Sequence, residues 1–218
     1  MLRPNSGPTS TQSRTPSDKA WPLSYIVAKR LFDFGFSLLI LLPLLGLVAM
    51  ALVVLNPHLN PGPLFYRPRR MGRGCVPFRL YKFRTMGPVL AHSARGPDDP
   101  VETDRVTPLG AFLRRARFDE LPQAINVLRG EMSLIGPRPD DLPHARSFLL
   151  DIPGYRQRYA VRPGISGLAQ VELGYVHGRA GTRRKTEIDL AYIRHARVGL
   201  DLRVFWRTLR IVADLEGQ

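Results

Sequence analysis

The sequence predicts a mainly helical α/β domain carried on an N-terminal membrane helix that folds back at a proline. Three observations carry this reading. From Phe34 to Tyr66 there is no charged side chain, and Phe36 to Leu55 is almost wholly apolar, long enough to span a bilayer if straight. Both flanks of that run are basic: Lys29 and Arg30 before it, Arg67, Arg69, Arg70 and Arg73 after it. The preference of cations for the cytoplasmic side would keep both flanks on one face, and Pro43, near the middle, removes a backbone hydrogen bond and favours a bend. Beyond the run, stretches with helical period alternate with short period-two stretches and Gly/Pro-shaped loops.

Composition narrows the function classes. A length of 218 residues, 44% of them hydrophobic, supports one domain with appendages. A formal net charge of +14 implies an anionic partner: nucleic acid, an anionic membrane surface or phosphorylated small molecules. The single cysteine, Cys75, excludes an intramolecular disulfide and a cysteine-based zinc cluster. The five histidines are scattered and read as surface residues.

In chain order, residues 1–20 are rich in Ser, Thr, Pro and Arg and read as a disordered tail. Residues 21–56 form the membrane-associated helix. Trp21, Tyr25 and the Lys29-Arg30 pair suit a membrane surface, and Asp33 stands one turn from those cations as their expected partner. Residues 57–218 form the domain. Leu80 to Arg84 alternates, which predicts a short strand with Lys82 and Arg84 on one face. That face is either solvated or turned to a phosphate. Gly87 to Glu102 reads as a loop. Thr107 is placed to cap an amphipathic helix containing Leu109, Phe112 and Leu113, which delivers Arg114 toward the next segment.

That segment, Arg114 to Gln123, is the expected centre. Three arginines surround the adjacent carboxylates Asp119 and Glu120. The pattern places Asp119 as a helix cap with Pro122 in the first turn, where anions are favoured and guanidinium groups pair with phosphate. The carboxylates would hold a divalent metal shared with phosphates, or one would attack phosphorus. A helix cap with surface salt bridges is the simpler reading of these ten residues alone. Farther on, Pro137-Arg138-Pro139 fixes the backbone around Arg138. Val161 to Val171 is a Gly/Pro loop carrying Arg162 that leads into a short strand, with glycines suited to a close ligand approach. Asp140 to Tyr159 is helical with a break at Pro153-Gly154. A helix follows Arg183-Arg184-Lys185, with Ile188 and Tyr192 on one side and Asp189 on another. The last helix, from about Asp201, carries an apolar stripe with Phe205 and Trp206. It suits either the headgroup region or packing on the domain.

Five motifs in this order resemble one family: Lys29-Arg30-Leu31-Phe32-Asp33, Tyr81 to Met86, Phe118 to Gln123, Gly130 to Pro139, and Val161 to Val171. The chain resembles the bacterial sugar transferases of the monotopic phosphoglycosyl transferase family, which are polyprenyl-phosphate hexose-1-phosphate transferases. The resemblance implies a compact α/β catalytic domain on the cytoplasmic face of the bacterial inner membrane, held in one leaflet by a re-entrant helix bent at Pro43. It implies transfer of a sugar 1-phosphate from a UDP-sugar to polyprenyl (undecaprenyl) phosphate with release of UMP, using Mg²⁺, to start exopolysaccharide- or lipopolysaccharide-type glycans. Asp119 then corresponds to a covalent nucleophile and Glu120 to its dyad partner, both placed to bind metal. Lys82 corresponds to a catalytic lysine; Arg84, the second cation of the same motif, is expected with Arg114, Arg138, Arg162 and Asp189 at the substrate and its phosphates. Leu42 departs from the serine that commonly precedes the bending proline. On this reading no nucleic acid is expected as a partner, and homo-oligomerisation is left open. The alternative from another class is a membrane-anchored basic nucleic-acid-binding protein without catalytic activity, which the net charge permits but which leaves the ordered motifs unexplained.

Overall fold

A computed structural model describes residues 21–87, 104–174, 176 and 178–214. The expected tail and nearly all of the predicted Gly87 to Glu102 loop lie outside the described residues.

The apolar run is helical throughout. Helix α1 (Leu23–Phe36) passes through a π turn at Ser37–Leu41 into α2 (Leu42–Leu59). The widened turn stands directly before Pro43, which has no N–H to donate, so the departure from regular winding sits where the sequence removes a donor. Leu41 and Leu42 keep α-like dihedrals, and the path continues as helix. Of the most apolar stretch, 11% is buried, and Leu39, Leu47, Met50, Val53 and Val54 are among the side chains left exposed.

Both ends of this long helix are fastened to the same domain. At its start, Trp21 Nε1 donates to the Ile193 carbonyl at 2.9 Å, and Lys29 pairs with Asp201 at 2.7 Å. At its exit, Asn60 Nδ2 donates to the Arg84 carbonyl at 2.9 Å. Between them, Leu45 and Leu52 are buried against Phe83, Leu109, Leu113 and Leu121. Asp33 does not pair with Lys29 or Arg30 as expected. It is 3% exposed and accepts the Leu134 N–H at 3.0 Å, because a carboxylate buried that deeply needs a fixed donor.

Among the described residues, short strands form three two-stranded ribbons. Strand β1 (Phe65–Tyr66) pairs antiparallel with β4 (Lys82–Phe83), and β2 (Arg69–Met71) with β3 (Pro77–Arg79). Strand β5 (Ser133–Ile135) runs parallel to β6 (Gly164–Ser166). The helices are α3 (Pro108–Arg115), α4 (Gln123–Leu128), α5 (Leu142–Asp151), α6 (Leu168–Leu173), α7 (Gly178–His195) and α8 (Val198–Ala213). Helix α5 and the tight turn Tyr155–Ala160 supply the crossover that a parallel pair requires. The break at Pro153-Gly154 falls between them, as the residues predict.

Three expectations need correction. The Val161 to Val171 segment turns helical at Leu168, because Gly167 ends the strand in an extended conformation. Helix α7 begins at Gly178 and contains Arg183 to Lys185 rather than following them. Asp189 shares its buried face with Tyr192 and Ile193, at spacings of three and four residues. The loop glycines also serve packing. A Cβ on Gly164 would lie 2.2 Å from the Gly136 nitrogen, and one on Gly167 would lie 2.4 Å from the Gly136 oxygen. Neither can be accommodated, so these glycines let two backbone segments touch.

Gly164→Ala is therefore expected to destabilise the fold by about 3 kcal/mol or more, the upper range for an unrelieved core clash. A thermal-unfolding midpoint in detergent equal to that of the parent would contradict this packing account.

Candidate active site

Asp119 and Glu120 lie on a tight turn between two helices. Thr107 begins α3 as expected: its Oγ1 accepts the Gly110 N–H at 3.0 Å, and Pro108 occupies the first turn. Gly110 presses onto the strand exit, since a Cβ there would lie 2.0 Å from the Thr85 oxygen. This contact brings Thr85 under the last turn of α3, where Arg114 Nε donates to Thr85 Oγ1 at 2.9 Å. Arg117 then takes a left-handed conformation (φ 57°), costly for a residue with a Cβ, and the chain enters the turn Phe118–Glu120.

Asp119 is thus not the N-cap of the following helix. Helix α4 starts only at Gln123, after Pro122, and has no side-chain cap. The left-handed Arg117 makes the dyad a separate turn, so side-chain cations supply its charge compensation.

Lys82 reaches across from β4, with Nζ 3.0 Å from Glu120 Oε1 and 3.4 Å from Asp119 Oδ2. Arg138 grips Glu120 with both terminal nitrogens: Nη1 lies 3.2 Å from Oε2 and Nη2 closes on Oε1. Arg138 Nη1 also donates to the Ile165 carbonyl at 3.2 Å. Both carboxylates are 7% exposed. Their environments push them apart. Burial acts upward on Glu120, but the Arg138 and Lys82 charges hold its carboxyl well below the usual carboxylate range. Burial raises Asp119; Lys82 opposes the rise and the neighbouring Glu120 charge adds to it. Glu120 is a fixed anion, and Asp119 is the less stabilised and more basic of the two.

Behind Arg138 lies a buried charge network. Arg158, with no side-chain exposure, donates to Asp189 Oδ2 at 2.8 Å, to Asp140 Oδ2 at 2.6 Å and to the Arg138 carbonyl at 3.1 Å. Lys185 adds a 2.5 Å pair to Asp140, and the Tyr155 hydroxyl donates to Asp140 at 2.7 Å. Two cations meet two carboxylates here, so the cluster is neutral as a whole. It fixes the backbone on both sides of Pro139.

The structure therefore gathers Lys82, Asp119, Glu120 and Arg138, with Arg114 one turn before the dyad. Three expected residues stand elsewhere. Arg84 donates to the carbonyls of Asn60, Pro63 and Met86, tying down the exit of α2. Arg162 Nε donates to the Gly130 carbonyl at 2.7 Å, beyond the far end of α4. Asp189 is held by Arg158. Arg158, Asp140 and Thr85 went unnoticed in the sequence as site-shaping residues. Arg158 carries no motif of its own, and only burial gives it away.

As for a metal, no three His, Cys, Asp or Glu side chains gather among the described residues. Mg²⁺ does not need such a cage. It keeps waters and takes one or two carboxylates together with substrate phosphates. The hard oxygens of the dyad suit it, with Asp119 the looser donor because Arg138 occupies both Glu120 oxygens.

The family model described as bacterial sugar transferase matches residues 24–214. The chain belongs to the bacterial sugar transferase family. It is 41% identical, over 86% of its length, to a UDP-N-acetylgalactosamine-undecaprenyl-phosphate N-acetylgalactosaminephosphotransferase of Aeromonas hydrophila. It is 42% identical, over 77% of its length, to a UDP-glucose:undecaprenyl-phosphate glucose-1-phosphate transferase of Caulobacter vibrioides. It spans 44% and 61% of those two relatives. A Rhizobium leguminosarum exopolysaccharide production protein is 38% identical over 87% of this chain and is covered over 96% of its own length. These relatives give the nucleic-acid-binding alternative no support.

In this member of the family, Asp189→Asn removes one anion from the closed network around Arg158. Breaking a buried pair from one side costs about 3–5 kcal/mol, so a large fall in unfolding midpoint is expected. A variant as stable as the parent but weaker in donor affinity would instead make Asp189 a substrate contact.

Proposed function

We propose that this chain transfers a sugar 1-phosphate from a UDP-sugar to polyprenyl phosphate through a covalent intermediate on Asp119. The observation that carries the reading is the pair itself: one buried carboxylate neutralised by Arg138, beside a second that is held loosely and is more basic. The names of the relatives supply the substrate classes.

Asp119 attacks the β-phosphorus of the donor. A bond forms from its carboxylate oxygen to phosphorus, and the bond from phosphorus to the bridging oxygen breaks, so UMP leaves with that oxygen. An oxygen of the lipid phosphate then attacks the same phosphorus, and the aspartate is released as a carboxylate. Two steps suit two co-substrates so unlike in solubility, because each uses the site in turn. Lys82, shared between the carboxylates, lies where it can meet phosphate charge, and Arg114 stands one turn away. Glu120, locked as an anion by Arg138, holds Lys82 on the Asp119 side. Asp119 and Glu120 would hold Mg²⁺, whose contribution is to neutralise diphosphate charge so that an anion can approach phosphorus.

The long helix is proposed to dip into one leaflet and return, with the domain on the cytoplasmic face. Support comes from its two tethers to one body, the basic flanks on both sides, and the π turn before Pro43. A straight helix of 37 residues would run about 55 Å, which would carry its exit far from its start.

Asp119→Asn is expected to abolish UMP release from donor alone. The parent quenched with UDP-sugar should gain the mass of a phosphosugar on the peptide containing Asp119. Turnover without that adduct would refute the covalent step. Tags at the two termini should be reached by protease from the same side of sealed membrane vesicles; protection of one tag alone would refute the fold-back.

A further inference from the structure

One buried side chain that the proposed chemistry leaves unused joins the three segments that build the site. Asn126, in the middle of α4, has no exposed surface. Its Oδ1 accepts the Tyr81 N–H at 3.0 Å, and its Nδ2 donates to the Arg79 carbonyl at 2.8 Å. The same Nδ2 donates to Glu131 Oε2 at 2.7 Å. The amide oxygen and both amide hydrogens are thus in use, and the Tyr81 donor fixes which way the amide points.

The first two bonds fall on the link between β3 and β4. There the Leu80 N–H donates to the Pro68 carbonyl at 2.9 Å, inside the hairpin. The Arg79 carbonyl and the Tyr81 N–H therefore point to its outer edge, as alternate backbone groups of a strand do. Asn126 meets them with a donor and an acceptor, in the way a neighbouring strand would. Lys82 is the next residue, so the edge held by Asn126 is the piece of chain from which Lys82 reaches the carboxylates.

The remaining connections run to the carboxylates and to Arg138. Helix α4 begins three residues after Glu120, so Asn126 is carried on the continuation of the Asp119 turn. Its main-chain carbonyl accepts the Glu131 and Met132 N–H groups at 3.0 and 3.2 Å. That stretch leads through β5 to Arg138, which grips Glu120. One residue thus ties together the chain segments that carry the lysine, the carboxylate pair and the arginine. Such ties matter to rate, because a misplacement of about 1 Å can cost about a hundredfold.

We propose that Asn126 is a positioning residue of the transfer reaction, holding the strand that carries Lys82 in register with the turn that carries Asp119 and Glu120. The inference rests on the role given to Lys82 above, and the first readout below is independent of that role.

The full chain in detergent is read in two ways. Hydrogen exchange of the peptide containing Tyr81 reports the bond itself: it should be about tenfold faster in Asn126→Ala, the worth of one hydrogen bond, with α8 peptides exchanging as in the parent. Steady-state UMP release from UDP-sugar with undecaprenyl phosphate reports the consequence: kcat should fall at least about tenfold, with the donor KM within about twofold of the parent. Glu131→Ala removes one of the three bonds from a half-buried side chain, so it should fold even where Asn126→Ala does not. It should lose kcat by about threefold, and Glu131→Gln, whose amide oxygen can accept the same bond, should recover most of that loss. Unchanged exchange at Tyr81 in Asn126→Ala would overturn the bridge. Faster exchange with unchanged kcat, a rise in KM alone, or Glu131→Gln as slow as Glu131→Ala would overturn the positioning role. A parent that releases no UMP would overturn the transferase reading and this role with it, whatever the exchange shows.

Discussion

The ion pair between Glu120 and Arg138 is the constraint on which the rest of this site depends. Two neighbouring carboxylates cannot both be buried and charged unless cations meet them. Arg138 satisfies one of the two, and Lys82 is left to serve both. The outcome is an unequal pair in which one carboxylate is spent on electrostatics and the other keeps its basicity. The glycines at 136, 164 and 167, the prolines around Arg138 and the network around Arg158 all hold that guanidinium in place. They look like separate motifs along the chain, and in space they form one support.

The long helix joins this support from the other side. Its first half is tied to α8 and β5 through Lys29 and Asp33, and its second half packs on α3 and β4. The long apolar helix is thus a structural member of the domain, sharing a core with Phe83 and Leu121 next to the dyad.

Much of this was legible in the residues. The apolar run, the Thr107 cap, the break at Pro153-Gly154 and the gathering of charge at the Asp119 turn each rest on a local rule: length, capping, ring closure or charge juxtaposition. What sequence reasoning could not supply was the partner of each polar group. Arg84 and Lys82 are two residues apart and look equivalent, yet one meets carboxylates and the other meets carbonyls. Asp189 has the look of a ligand but is neutralised by an arginine distant in sequence. Asp119 looks like a cap because the left-handed state of Arg117 has no signal in its residue type. The glycine-rich loops suggested a cradle, while the tertiary fold uses them for close backbone contact.

The placement of Arg84 has a mechanical consequence. Its guanidinium is fastened to the loop where the long helix ends, and two residues earlier, at the start of β4, Lys82 touches both carboxylates. Three residues of chain thus link the end of the long helix to the carboxylate pair. On the proposed membrane reading, a tilt that hydrophobic thickness imposes on that helix would reach the lysine, and lipid composition would become a variable of the chemistry.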